Sequence, residues 1–159
     1  MFRRTAITAE PGEDAGTLSF DKKLQSLNIA AALIDANSLE EAERVIDSTE
    51  KNLDNISKVT LLSEVQLERV VLLAQRERYG EARSVALFIR SSRSGSHERD
   101  TALRISAALE AKRNGSTSVY QWAVALPDAE DRAYALLGIA QTLLGIDDTR
   151  LPYTAIQVH

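Results

Sequence analysis

From Ser19 onward, apolar residues recur at spacings of three and four almost to the end of the chain, the period of amphipathic helix. The pattern predicts helices over 20–35, 38–50, 56–77, 80–91, 97–113, 117–126 and 129–144. Residues 1–18 lack it; they carry Pro11-Gly12 and three acids, and are expected to form a loose N-terminal arm ahead of a helical domain over 19–159. Runs of Val, Ile, Thr and Tyr that would supply a sheet are absent, so the expected class is all-α.

Local signals set the boundaries. Ser38-Leu39-Glu40-Glu41 reads as a capping box, in which Ser38 and Glu41 each satisfy an orphan amide of the helix start. Pro127 ends the sixth helix, because the residue before a proline avoids α geometry, and Asp128 caps the seventh. Ser96 is the expected N-cap of the fifth. In the seventh helix Ala133, Leu136, Leu137, Ala140, Leu143 and Leu144 form one stripe, read as its buried face. Between Ile29 and Ile34 the first helix is apolar nearly all round, which predicts cover on several sides.

The helices repeat. Leu27-Asn28-Ile29-Ala30-Ala31-Ala32-Leu33 has counterparts beginning at Leu103 and Leu137, and a weaker one at Val71, so successive copies start 44, 32 and 34 residues apart. Each copy is followed by a break and a second, shorter helix. Glu41-Ala42-Glu43-Arg44-Val45 is echoed by Glu81-Ala82-Arg83-Ser84-Val85, and Val119-Tyr120-Gln121-Trp122 fills the same slot more loosely. Small residues at Ala30, Ser106 and Ala140 would let neighbouring first helices approach closely.

A small residue in a first helix, followed twelve positions later by alanine in a second, resembles the tetratricopeptide repeat. Ile29, Ala30 and Leu33 match the first-helix pattern of that family, and Ala42 and Ile46 the second. The second hairpin keeps Leu73, Ala82 and Ala86 but places Val70 at the small position. The later units depart further, with Ser106 paired to Ser118 and Ala140 to Pro152, and the repeat-ending proline is missing from the first two. The resemblance covers residues 20 to about 157. It implies a right-handed array of three to four antiparallel hairpins, an α-solenoid whose first helices line a concave surface for a peptide or protein segment. It implies neither catalysis nor a cofactor. On that reading Asn28, Glu68, Arg104 and Gln141 project from the first helices toward the partner.

Composition narrows the classes. A net charge of −4 gives no basic field for a phosphate backbone, so nucleic acid is not the default partner. Without cysteine there are no disulfides, thiolate metal sites or cysteine nucleophiles. The start has two arginines but no apolar stretch of the about 7–15 residues a signal peptide needs. The longest apolar run, Ile29 to Ile34, is six residues against the about 20 of a membrane span; a cytoplasmic protein is expected.

No catalytic constellation emerges. His97-Glu98 lacks the second histidine of a zinc-protease helix, since Thr101 stands four residues on, and reads as a loop-to-helix junction. Glu40, Glu41 and Glu43, and Asp128, Glu130 and Asp131, lie in first turns where negative charge complements the macrodipole. Trp122 and Tyr120 are expected in the core. Arg83, Arg90, Arg93, Arg99 and Arg104 make the stretch 83–104 locally basic; it reads first as a solvated face and second as a grip on nucleic acid or an acidic partner. The expected function is a non-catalytic interaction module with no cofactor. Residues 151–156 leave room for only a stub of an eighth helix, so the end reads as a capping unit, a swapped or oligomeric tail, or one piece of a longer protein; Leu144, Leu151, Tyr153, Ile156 and Val158 suggest that it is covered, with self-association as the expected cover.

Overall fold

The computed structural model describes residues 19–90 and 97–146. The expected N-terminal arm, the Ser96 cap, Arg93 and the eighth-helix stub lie outside the described residues. Seven helices run in order: α1 (Phe20–Asp35), α2 (Leu39–Lys51), α3 (Asn55–Gln75), α4 (Tyr79–Phe88), α5 (His97–Asn114), α6 (Ser116–Val124) and α7 (Ala129–Leu143). Among the described residues there is no strand. None of these helices is long and apolar enough to cross a membrane.

Each helix packs only against those one or two places along the chain. α1 meets α2 and α3; α3 also meets α4 and α5; α5 meets α4, α6 and α7; α2 meets α3, and α6 meets α7. The odd-numbered helices therefore touch in series, and the even-numbered ones bridge between them.

Burial reveals the repeat. In and just after α2, α4 and α6, equivalent buried positions are Ala42, Ile46 and Thr49, then Ala82, Ala86 and Ile89, then Val119, Ala123 and Leu126. The steps are 40 and 37 residues. The turns agree: Asn37 and Glu77, 40 apart, both adopt positive φ, 58° and 61°. Around them Ala36, Asn37 and Ser38 donate to the carbonyls of Ala32, Ile34 and Leu33, and Arg76, Glu77 and Arg78 donate to those of Leu72, Ala74 and Leu73. This is a Schellman closure, which satisfies carbonyls the helix end would leave open. It recurs after α7 around Gly145. The first two units thus stand 40 residues apart, not the 44 that the string at Val71 suggested; Leu67, one turn earlier, is the structural counterpart of Leu27.

The odd helices carry two faces. The face toward the following elements is Lys23, Leu27, Ala30 and Ile34 in α1; Ser63, Leu67, Val70 and Ala74 in α3; and Asp100, Arg104, Ala107 and Ala111 in α5. Ser63 and Asp100 are half-buried and the rest are buried. The face toward the preceding helix is Leu61, Val65, Glu68 and Leu72 in α3, Glu98, Ala102, Ile105 and Leu109 in α5, and Asp131, Ala135, Gly138 and Thr142 in α7. The first set steps by 40 and then 37 from α1 to α5, the second by 37 and then 33 from α3 to α7.

Several expectations are corrected. The stripe Ala133, Leu137, Ala140, Leu143 and Leu144 is exposed and Leu136 half-buried; α7 packs on α5 through its other face. The reason is Gly138. A β-carbon there would collide with the Arg104 carbonyl oxygen and stand 3.1 Å from the Ala108 nitrogen, so glycine alone allows the backbones to close to this distance. Thr142 Oγ1 donates to the Ala108 carbonyl across the same seam, at 3.0 Å. Ala140 is therefore not the crossing residue. α1 is covered on one side only, with Ile29 and Ala32 exposed, because no helix precedes it among the described residues. The capping box does not form: Ser38 has ψ 62° and no side-chain cap bond, since its backbone is held by the tight closure onto Leu33. Asp128 caps α7 as expected, accepting from Glu130 and Asp131 amides.

Ion pairs tie the layers together. Lys23, almost fully buried, donates to Asp54 at 2.7 Å and to Ser57 Oγ at 3.0 Å, and Asp54 also caps α3 through the Ser57 amide. Arg69 reaches Asp47 and Glu50, and Arg76 reaches Glu43 and the Leu39 carbonyl, so α3 is strapped twice to α2. Lys23, the Ser57 amide and the Ser57 hydroxyl hold the Asp54 carboxyl well below its usual range. A carboxyl depressed in the fold adds stability above its unfolded value near 3.9 and loses it as pH falls through the folded value.

This packing makes three outcomes measurable. Gly138→Ala should cost about 3 kcal/mol in urea unfolding, the upper range for overpacking, while the exposed Gly80→Ala costs far less. Glu77→Gly should raise stability by about 0.5–1 kcal/mol, because glycine carries no left-handed penalty. Asp54→Asn should lower the urea midpoint at pH 7 and flatten its decline below pH 4; an unchanged acid limb would refute the assignment.

Candidate interaction surface

One side of the odd helices is left uncovered by the even ones. In α3, Arg69 and Arg76 mark the side that meets α2, and Glu64 and Gln75 lie on the turns pointing away from it at 100° per residue. The equivalent positions are Leu24 and Asp35 in α1, Thr101 and Lys112 in α5, and Tyr134 in α7. Between them run Ala31, Val71, Ala108 and Gln141, small or flat residues apart from the last. The result is a strip across α1, α3, α5 and α7 with an apolar floor and a polar margin.

The four residues singled out from sequence do not share this strip. Asn28 and Glu68 occupy equivalent positions on the faces toward the preceding helix; Asn28 is exposed at the end of the array and Glu68 is half-buried between α1 and α3. Arg104 is 5% exposed, because α5 lies between two neighbours and this position faces α7. Its Nη1 donates to Gln141 Oε1 at 2.9 Å. Gln141 alone lies on the strip. The structure thus brings Arg104 and Gln141 together and leaves Asn28 and Glu68 apart from them.

Glu64 was missed by sequence reasoning, although it stands one turn before Glu68. Its Oε2 is buried with no hydrogen-bond partner. Burial pushes its carboxyl up from the usual range, and Glu98 nearby adds to the shift. A carboxylate desolvated this way costs the fold some stability at neutral pH.

Arg83, Arg99 and Arg104 turn inward, whereas Arg90 is exposed. Arg83 pairs with the buried carboxylate of Glu110 and stacks 4.5 Å from the centre of the Trp122 ring. Arg99 forms a two-bonded pair with Asp131, at 2.8 and 2.5 Å, and donates to the Leu87 and Ile89 carbonyls at the end of α4. With Arg104 engaged by Gln141, three of these residues are internal ties. Trp122 packs into the core as expected, but Tyr120 is 54% exposed. His97 begins α5 and is exposed.

A depression of about 1000 Å³ lies at the first two turns, lined by Asn37, Ser38, Leu39, Glu40, Glu41, Glu43, Arg76 and Arg78. Its two cations are committed, Arg76 to Glu43 and Arg78 to Glu81. Exposed Glu40 and Glu41 leave it acidic. No family model, curated protein or solved structure matches the chain.

The geometry predicts that Glu64→Gln stabilises the protein at pH 7 and that the gain shrinks toward pH 4. The sign comes from a raised folded-state carboxyl, whose contribution is retained below the unfolded value and lost as pH rises through the folded one. Urea midpoints of both proteins at the two pH values test it.

Proposed function

We propose that this chain is a non-catalytic protein-interaction module, a tetratricopeptide-like α-solenoid of antiparallel hairpins that binds a peptide or protein segment along the uncovered strip of its odd helices. The observation that supports the reading is the pattern of neighbours: odd helices meet in series while even helices bridge between them. An array built this way buries a continuous core between units and leaves an extended wall open. The acidic margin at Asp35 and Glu64 favours a segment bearing Lys or Arg, and pairing would supply the counter-charge that Glu64 lacks within the fold.

The alternative, contact with nucleic acid through residues 83–104, loses its motive. Arg83, Arg99 and Arg104 are engaged by Glu110, Asp131 and Gln141, and the chain as a whole is acidic. Self-association through the C-terminal end belongs to the same interaction-module reading.

In affinity capture from the protein's own cell extract, Glu64→Lys should reduce retention of a bound partner by about tenfold or more, whereas Lys112→Glu, which deepens the acidic margin, should increase it. Neither should change the far-ultraviolet dichroism. Equal retention by wild type and both variants would exclude the strip as the binding surface.

A further inference from the structure

The two ends of the array differ. At the α1 end the outward face is Asp21, Gln25, Asn28 and Ala32, all exposed and mostly polar, as a terminal unit in water requires. At the other end the outward face of α7 is Ala133, Leu137, Ala140 and Leu144. These are the counterparts of Lys23, Leu27, Ala30 and Ile34, the face with which α1 receives α2 and α3. In α1, α3 and α5 this face takes the next helices; in α7 no helix among the described residues covers it, with Leu137 46% and Leu144 74% exposed. The apolar face of α7 is thus a direct continuation of the packing surface used along the whole array.

We infer that this face joins a second copy of the chain, α7 against α7, antiparallel about a two-fold axis. Head-to-tail addition is disfavoured, since it would press the apolar face against Asp21, Gln25 and Asn28. A two-fold contact has no such mismatch, because one patch meets itself. The sequence fits it position by position. With the axis between Gly138 and Ile139, Ala133 stands opposite the partner's Leu144, Leu137 opposite the partner's Ala140, and the same pairs recur by symmetry. Every leucine meets an alanine, so large and small side chains interdigitate and the helices approach closely. No charge falls within the stripe, and exposed Leu143 and Ile146 extend its apolar margin. The inference uses the equivalence of the odd helices but not the binding strip, so either can fail alone.

Sedimentation equilibrium of the full chain tests it. The expected result is a concentration-dependent species of twice the chain mass. Leu137→Glu should weaken the dimer by at least about tenfold, and Ile56→Glu, an exposed apolar site on α3, should leave it unchanged. Ala140→Leu should also weaken it, by placing leucine against leucine, whereas the swap Leu137→Ala with Ala140→Leu should restore the wild-type constant within about threefold. Dichroism reports that each variant is folded. A monomer at all concentrations overturns the proposal and means that something other than a second copy covers α7. A dimer indifferent to Leu137→Glu, or a swap that fails to restore it, overturns this face and this pairing.

Discussion

The structure depends on one constraint: an inner helix with two apolar faces cannot be satisfied by its own hairpin. α3 buries Leu61, Val65 and Leu72 against the helices before it and Leu67, Val70 and Ala74 against those after it. Neither set alone removes the other from water, so an inner helix is covered only with neighbours on both sides. The same two faces recur in α5, where Ala102 and Ile105 look back and Ala107 and Ala111 look forward. The core is accordingly three clusters in series rather than one centre.

Apolar packing leaves the angle between layers soft, and the charged ties fix it. Lys23 with Asp54, Arg69 with Asp47 and Glu50, Arg83 with Glu110, and Arg99 with Asp131 each join helices that are adjacent in the array. A buried pair adds little net stability against an apolar substitute, but it penalises any arrangement that separates its members. The repeated use of Arg, with its planar fork and several donors, suits seams where a carboxylate and carbonyl oxygens must be met together, as at Arg99.

These ties also decide what the surface offers. An arginine-rich stretch that reads as a cationic patch is largely consumed inside the fold, whereas Glu64 carries a desolvation cost on the open side. Density of charge along the chain is therefore a poor guide to the charge that reaches the surface.

The helical class, seven helices with ends within a few residues, and the Asp128 cap were legible because 3.6-residue periodicity and capping chemistry are local properties of the chain. The spacing between the first two similar segments was not legible. The string at Val71 lies one helical turn away from the true counterpart, and both positions are apolar, so only the shared turn at Asn37 and Glu77 distinguishes 40 from 44. Which apolar stripe of α7 is buried was likewise undetermined. Leucine on one face and small residues on another read as core and surface in isolation, yet close helix packing selects the face with Gly138, where backbones can meet. Partners of the arginines lie roughly 20–40 residues distant along the chain and come together only when the helices stack. Sequence alone determined what each helix is; which face each helix turns to its neighbour, and hence which residues remain for a partner, was decided by the packing between them.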